Sequence, residues 1–249
     1  MLILLPPSET KRPGGRGRPV DLNSLTLPSL VPQRESVVDA LIRLSADEDA
    51  AARILKLGAT QRDEIAVNAD LRIAPTTAAV DRYTGVLYDA LGAASLPSAA
   101  RAWLGRHVLI HSAPFGPVAA LDRIPAYRLG ASASLPGLAP PTRLWADAVT
   151  DAFASAAPSF VLDLRSEAYA ALGPVPSRVP SAYVRVVTEA GGGAVRALNH
   201  FNKHAKGALT RRLALERPRI ASRVGLLRWA DAAGLRVRDG ERGELRLFV

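Results

Sequence analysis

The chain has 249 residues, of which 48% are hydrophobic and 22% are charged, as in ordinary folded globular proteins. It contains no cysteine, which excludes disulfides, zinc–thiolate sites, iron–sulfur clusters and cysteine nucleophiles. Its formal net charge of +9 favours a polyanionic partner, and nucleic acid is the usual one.

The apolar start of the chain, residues 1–5, is too short for a signal peptide and is followed by Pro6 and Pro7. No other apolar run approaches the roughly 18 residues that a membrane span requires. We therefore expect a cytoplasmic protein without a membrane partner.

The first half of the chain reads as one buried strand followed mainly by helices. Residues 2–5 predict a central strand, which ends at two prolines that cannot donate ladder hydrogen bonds. Helical spacing covers residues 33–44, 47–57, 61–69 and 99–104. Residues 75–80 and 82–88 are compatible with strand or helix, because short apolar runs do not decide between them.

The second half alternates between strands and helices. Residues 107–112 predict a buried strand, followed by a turn at 113–117 and a short helix through Leu121. The later elements are a helix at 144–157, strands at 160–164 and 179–188, the glycine stop 191–193, a basic helix, a helix at 218–233 and a terminal hairpin around Asp239 and Gly240. We predict one α/β domain, residues 1–249, with a mixed sheet and surrounding helices.

Positive charge is concentrated in two segments. Residues 196–223 contain eight Lys or Arg and one acid, residues 8–19 contain four and one acid, and the rest of the chain carries −1. A helical wheel of the first segment places Leu198, Phe201, Ala205, Ala208, Leu209 and Leu213 on a packing face, opposite Arg196, Asn199, His200, Lys203, Lys206 and Thr210. We expect the two basic segments to flank one cleft.

The basic helix is interpreted as a DNA-contacting element, with a solvated basic face as the alternative. Lys203 and Lys206 lie about 60° apart on the wheel and can share a phosphate or grip successive ones. The candidate phosphate-binding residues are Lys11, Arg12, Arg16, Arg128, Arg196, Lys203, Lys206, Arg211 and Arg212. Because phosphate contacts carry no sequence information, they predict non-specific or shape-selective binding with a steep salt dependence.

A second group of polar residues follows two predicted strands. Ser8, Glu9 and Lys11 come after the first strand, Asp163, Arg165, Ser166, Glu167 and Tyr169 come after a later one, and Tyr127 and Arg128 could join them. Loops at the carboxyl ends of neighbouring strands build one crevice. Asp163, Glu167, Ser8 and Lys11 are therefore candidate catalytic residues for acid–base chemistry. The alternative is that Asp163 and Glu167 pair with Arg165 or Arg128 to hold the loops.

The histidines do not predict a metal site. His107 and His111 lie about 13 Å apart along a strand, too far to share an ion. His200 and His204 have the helical spacing that could share one, but no third ligand is apparent. We predict neither a metal nor a cofactor.

Six short motifs occur in a fixed order along the chain: LLPPSETK at 4–11, YTGVLY at 83–88, AYRL at 126–129, LW at 144–145, LDLRSEAY at 162–169 and HFNKHAKG at 200–207. Together they resemble the YaaA family of bacterial peroxide-stress proteins. The resemblance implies a cytoplasmic α/β protein that binds DNA through a positively charged cleft and helps to keep intracellular iron low, which limits oxidative damage.

The resemblance also implies a helix-hairpin-helix element, which here corresponds to Ser112 to Leu121. Pro114 and Pro117 in this segment each lack the N–H donor that such an element presents to phosphate.

Two functional hypotheses follow. The first is a non-catalytic DNA-binding protein of the peroxide stress response. The second is an enzyme that acts on a nucleotide, a nucleobase or damaged DNA bound in the same cleft. Iron sequestration by the chain itself is disfavoured by its few ligands.

Overall fold

The structure is a computed structural model that describes residues 1–189, 195, 196 and 199–249. Its strands are β1 (Leu2–Leu5), β2 (Thr77–Ala78), β3 (Val108–Ser112), β4 (Gly116–Ala119), β5 (Arg123–Ile124), β6 (Val161–Asp163), β7 (Ser181–Glu189), β8 (Val195–Arg196), β9 (Val237–Asp239) and β10 (Glu244–Phe248). The predicted glycine stop of the third strand, residues 191–193, lies outside the described residues.

The helices surround these strands. They are α1 (Val31–Leu44), α2 (Glu48–Leu55), α3 (Glu64–Ala69), α4 (Ala79–Arg82), α5 (Val86–Leu91), α6 (Ser98–His107), α7 (Pro141–Ala156), α8 (Glu167–Ala171), α9 (Asn199–Glu216) and α10 (Arg223–Ala232). None of the described helices is long and apolar enough to cross a membrane.

The main sheet has the strand order β4-β3-β1-β6-β7-β10-β9. The five inner strands run parallel, whereas the outer strands β4 and β9 run antiparallel to their neighbours. β8 pairs with the end of β7, and β2 and β5 form a separate small sheet. The predicted mixed α/β class is therefore confirmed.

β1 is central, as its sequence predicts. It lies between β3 and β6, with Ile3 opposite both Val108 and Leu162. Ile3, Leu4 and Leu5 are almost completely buried. A parallel strand covered on both faces needs apolar residues at successive positions, and this run supplies them.

The prediction of a short helix that ends at Leu121 is wrong. Residues 116–119 form β4, which pairs antiparallel with β3 from Ser112 opposite Gly116. Gly116 takes a positive φ of 61°, and the buried Arg34 guanidinium donates hydrogen bonds to the carbonyls of Phe115 and Pro117. Pro117 is tolerated because β4 is an edge strand. The segment assigned to a helix-hairpin-helix is thus a buried β-hairpin.

The helical wheel assigned the faces of α9 only partly correctly. Lys206 and Thr210, predicted to face a partner, are buried, whereas Phe201, predicted to pack, is 56% exposed. Lys206 is buried because α9 packs on the loop after β6 and on β7, where its amine meets the carbonyl oxygen of Arg165 and lies over the Tyr183 ring. On the next residue, Gly207, helix α5 approaches so closely that a Cβ atom would overlap the carbonyl oxygen of Leu87.

Candidate functional site: a cleft at the carboxyl ends of the parallel strands

A cleft of about 1130 Å³ opens where β1 and β6 end, between the loop after β1 and helix α9. Carboxyl ends of adjacent parallel strands commonly form such crevices. Ser8, Glu9 and Thr10 line it from the first basic segment, and Asn202, Lys203 and Lys206 line it from the second. Both basic segments therefore flank one cleft.

The charges that line the cleft are balanced. The basic lining residues are Arg185, Lys203, Lys206 and Arg246, and the acidic ones are Glu9, Glu167, Glu241 and Glu244. Arg185 forms ion pairs with Glu244 at 2.7 Å and with Glu167 at 3.0 Å. Within the described part of the chain, Lys203 and Arg246 make no ion pair. These two cations remain available to a ligand.

A buried ion pair lies at the end of β6. Arg165 donates to both carboxylate oxygens of Asp163, from Nε at 2.9 Å and from Nη2 at 2.7 Å. Both side chains are shielded from solvent. Asp163 therefore pairs with Arg165, as one of the two sequence interpretations held, whereas Glu167 pairs with Arg185 instead.

His111 belongs to the same network. Its Nδ1 lies 2.9 Å from Nη1 of Arg165, which can only donate, so the proton of the neutral ring is on Nε2. Burial, and then the charge of Arg165, lower the pKa of His111 well below its ordinary value. His111 was not among the residues predicted for the site. The sequence feature that could have indicated it is a histidine within an otherwise apolar parallel strand.

Lys206 projects from α9 into the wall of the cleft. It is only 5% exposed, and its Nζ donates to the carbonyl oxygen of Arg165 at 3.3 Å. The Tyr183 hydroxyl donates to the same oxygen at 3.0 Å, and Nζ lies 5.6 Å from the centre of the Tyr183 ring. Burial lowers the pKa of Lys206 to about 8, although the charge of Asp163 acts in the opposite direction.

Lys11 lies behind the loop that lines the cleft. Its Nζ donates to the carbonyl oxygen of Glu9 at 3.0 Å and sits 4.2 Å from the ring centre of Tyr127. Burial, and then the charge of Arg128, lower its pKa to about 7. An ordinary lysine keeps its charge far above neutral pH, so both lysines of this region are unusual.

All five tyrosines of the chain lie in or beside this region. The hydroxyls of Tyr83 and Tyr127 are 2.8 Å apart, and Tyr88 donates to the carbonyl oxygen of Pro6. Tyr169 packs against His111 with ring centres 5.8 Å apart. Burial raises the pKa of Tyr83, Tyr88, Tyr127 and Tyr169, so these hydroxyls stay protonated.

The comparison with known proteins decides the family. A family model described as "Peroxide stress protein YaaA" matches residues 1–239. The chain belongs to the YaaA family. The resemblance inferred from the six motifs is thereby confirmed.

Relatives of this YaaA family member carry the name UPF0246 protein. The chain is 45% identical to one from Corynebacterium efficiens over 256 residues, which cover 100% of both chains. It is 40% identical to one from Corynebacterium glutamicum, covering 96% of this chain and 95% of the relative. It is 42% identical to one from Streptomyces coelicolor, covering 86% of this chain and 82% of the relative.

Several candidate phosphate-binding residues of this YaaA family member are engaged within the protein. Arg128 pairs with Glu64 at 3.3 Å, and Arg212 pairs with Glu216. Arg211 donates to the carbonyl oxygens of Leu91 and Gly92 at 2.9 and 3.0 Å, which caps the end of α5. Arg12 and Arg16 are exposed, Lys203 is exposed beside the cleft, and the side chain of Arg196 lies outside the described residues.

The remaining candidates are placed as follows. Ser8 lines the cleft and its hydroxyl lies 3.3 Å from that of Thr10. Among the described residues, no group of three or more His, Cys, Asp or Glu could hold a metal ion. His107 contacts the carbonyl oxygen of Met1, His204 is exposed, and the side chain of His200 is not among those described.

The lowered pKa values of Lys11 and Lys206 can be tested directly, because the chain has only four lysines. In an NMR titration of isotope-labelled lysine side chains, we expect one signal to titrate near pH 7 and another near pH 8. Lys11→Arg should remove the first signal and Lys206→Arg the second. Titration of both at the ordinary lysine value would contradict the burial described here.

The lowered pKa of Lys11 also makes the stability of the protein depend on pH. Because the pKa of Lys11 is lower in the folded protein than the ordinary 10.5, the unfolded chain binds more protons between the two values. The contribution of Lys11 to stability therefore increases as the pH rises from about 7 to 10.5.

Proposed function

We propose that the protein binds DNA through this cleft in the cytoplasm, as part of the peroxide stress response for which its family is named. The observation that carries the proposal is the presence of Lys203 and Arg246 in the cleft lining without an ion pair in the described structure. Cations that are not neutralised by the protein can displace counterions from phosphates, which is the main source of DNA affinity.

Two further features support a nucleic acid as the ligand. Tyr169 and Tyr183 line the cleft and are only partly buried, and aromatic rings offer stacking surfaces to unpaired bases. The loop that lines one side of the cleft continues into exposed Arg12 and Arg16, which add positive potential near its mouth. DNA held in this way would be shielded from iron-dependent oxidation.

The binding is expected to be non-specific or selective for DNA shape. Lysine and arginine contacts to phosphate position the backbone but do not read base edges. The buried β-hairpin of β3 and β4 is not needed for this mode, since Lys203 of α9 and Arg246 of β10 supply the contacts.

Removing the two free cations of the cleft should weaken DNA binding strongly. For the double variant Lys203→Ala/Arg246→Ala, we expect the affinity at low salt to fall at least about tenfold. The slope of log K against log salt should become shallower by about 2, because two phosphate contacts are lost. Fluorescence anisotropy with a labelled duplex over a salt series measures both quantities.

The matched control is Arg43→Ala/Arg53→Ala. It removes the same charge from exposed positions on α1 and α2, which contribute no residue to the cleft among the described residues. Its affinity should change little. If both double variants lose affinity equally, general electrostatic attraction explains binding and the cleft assignment fails.

A second function, an enzyme that acts on a nucleotide, a nucleobase or damaged DNA, is favoured by one observation. Lys206 is buried and Lys11 is partly buried, and both amines have lowered pKa values, whereas pure phosphate contacts need charged, accessible lysines. Both carboxylate oxygens of Asp163 accept hydrogen bonds from Arg165, which suits a positioning role. Thermal stabilisation by mononucleotides would support this function, whereas a preference for long duplexes would support binding alone.

A further inference from the structure

The stability of the fold does not explain why Lys206 is buried. Lysine is among the residues least often buried, yet Lys206 is 5% exposed and makes no ion pair within the described part of the chain. Among the described residues, its Nζ has one protein acceptor, the Arg165 carbonyl oxygen, at a long 3.3 Å. The side chain also lines the cleft, so a ligand there can reach the amine.

The amine of Lys206 is suited to act as a nucleophile. With a pKa of about 8, an appreciable share of the amine is neutral at the pH of the cytoplasm, unlike an ordinary lysine. Neutral lysine amines react with aldehydes and ketones to form imines. Its place in the cleft wall and its larger neutral fraction both distinguish Lys206 from an exposed lysine of the same chain.

An abasic site supplies an aldehyde in DNA. Intact sugars and phosphates carry none, whereas the deoxyribose of an abasic site opens to a free aldehyde at C1′. We propose that Lys206 forms an imine with the C1′ aldehyde of an abasic site in DNA held in the cleft, and that the strand is then cleaved by β-elimination. This inference rests on the proposed DNA binding.

The dimensions and charges of the cleft fit this substrate. A volume of about 1130 Å³ accommodates a displaced nucleotide and its flanking phosphates. Lys203 and Arg246 line the same cleft and can hold those phosphates. An abasic nucleotide needs the least energy to leave the duplex, because no base is unpaired or unstacked.

The reaction balances without a cofactor. The neutral amine attacks C1′, and the aldehyde oxygen leaves as water with one proton from the amine and one from solvent, giving a protonated imine. A base then removes a proton from C2′, the C3′–O bond breaks, and the 3′ phosphate leaves with the bonding electrons. Hydrolysis of the imine by water restores the amine and leaves the unsaturated sugar aldehyde at the 3′ end of the upstream strand.

Glu167 is the side chain placed to accept the C2′ proton. It lines the cleft, and its negative charge already acts on the Lys206 amine. Its carboxylate is exposed, and within the described residues its one ion pair is with Arg185, at 3.0 Å.

The decisive experiment traps the imine. The protein is incubated with a labelled duplex containing one abasic site, sodium borohydride is added, and covalent adducts are separated on a denaturing gel. We expect an adduct and a cleaved strand with the wild type, and at least a hundredfold less adduct with Lys206→Met or Lys206→Arg. The arginine variant keeps the positive charge. Loss of the adduct in this variant would therefore show that the lysine amine, and not the charge, forms the imine.

Lys56→Met is the matched control, because Lys56 is exposed at the end of α2 and does not line the cleft. It should form the adduct normally. Circular dichroism confirms that each variant is folded. Peptide mapping by mass spectrometry should place the reduced adduct on Lys206, and an adduct on Lys203 or Lys11 would overturn the assignment.

Binding of the same duplex, measured by anisotropy, separates the two proposals. Binding without an adduct would overturn this inference and leave the proposed DNA binding intact. An adduct with free 2-deoxyribose 5-phosphate but none with abasic DNA would overturn DNA as the substrate. An absence of DNA binding would overturn the proposed function, and the inference with it.

Discussion

Replacing Arg165 with methionine should lower the free energy of unfolding by about 3–5 kcal/mol, the usual cost of breaking a buried ion pair. Arg165 is completely buried, and Asp163 would remain behind as a buried carboxylate without its cation. His111 Nδ1 would also lose its donor. Urea denaturation followed by circular dichroism measures the loss.

Two further variants make the prediction specific. In Asp163→Leu/Arg165→Met, neither charge remains, so we expect most of the lost stability to return. Arg62→Met removes a surface pair with Asp49, in which both side chains are well exposed, and should cost at most about 1 kcal/mol. If Arg165→Met costs no more than Arg62→Met, the pair does not stabilise the cleft as described.

Gly207→Ala should destabilise the protein by about 1–3 kcal/mol, even though alanine is the better helix former by about 1 kcal/mol. An alanine Cβ would overlap the Leu87 carbonyl oxygen and lie 2.9 Å from the Cβ of Ala90. Helices α5 and α9 would have to separate. Thermal and urea unfolding should both register the change.

Gly225→Ala is a suitable control in α10. A Cβ there would meet Ser222 Oγ at 3.4 Å and Ile220 Cγ2 at 4.0 Å, which are ordinary contacts. We expect this variant to be stabilised by about 0.4–1 kcal/mol. Equal effects at the two glycines would mean that the approach of α5 to α9 is not limited by the Gly207 position.

Local sequence patterns predicted an element correctly where the interaction that forms it is local. Asp47 is a good N-cap, and its carboxylate accepts the Ala50 N–H at 2.9 Å at the start of α2. The end of that helix was less predictable, because Lys56 takes the left-handed conformation at φ 55° two residues before Gly58. Helix ends of this kind depend on packing as much as on residue type.

The ambiguous segments show where local patterns stop. Residues 75–88 contain β2, α4 and the start of α5, and a short apolar run alone could not divide them. Likewise, nothing in residues 116–119 distinguishes a helical turn from an edge strand. The deciding interaction is the pairing with β3, and the two strands can pair only once the chain has turned at Gly116.

The amino-acid sequence by itself determined the α/β class, the central position of β1, the two basic segments and the family, because each depends on the order of residues along the chain. It also placed the loops after β1 and β6 in one crevice, since parallel strands share a carboxyl edge.

Only the tertiary structure decided which charges are free and which are neutralised. Asp163 pairs with Arg165, Glu167 pairs with Arg185, and Arg211 caps α5, although all five are polar residues of similar appearance in the sequence. Lys206 is buried where α9 packs on the loop after β6 and on β7, against the Arg165 carbonyl oxygen and the Tyr183 ring. Desolvation of an amine depends on what surrounds it in space, and a helical wheel contains only the spacing along one helix.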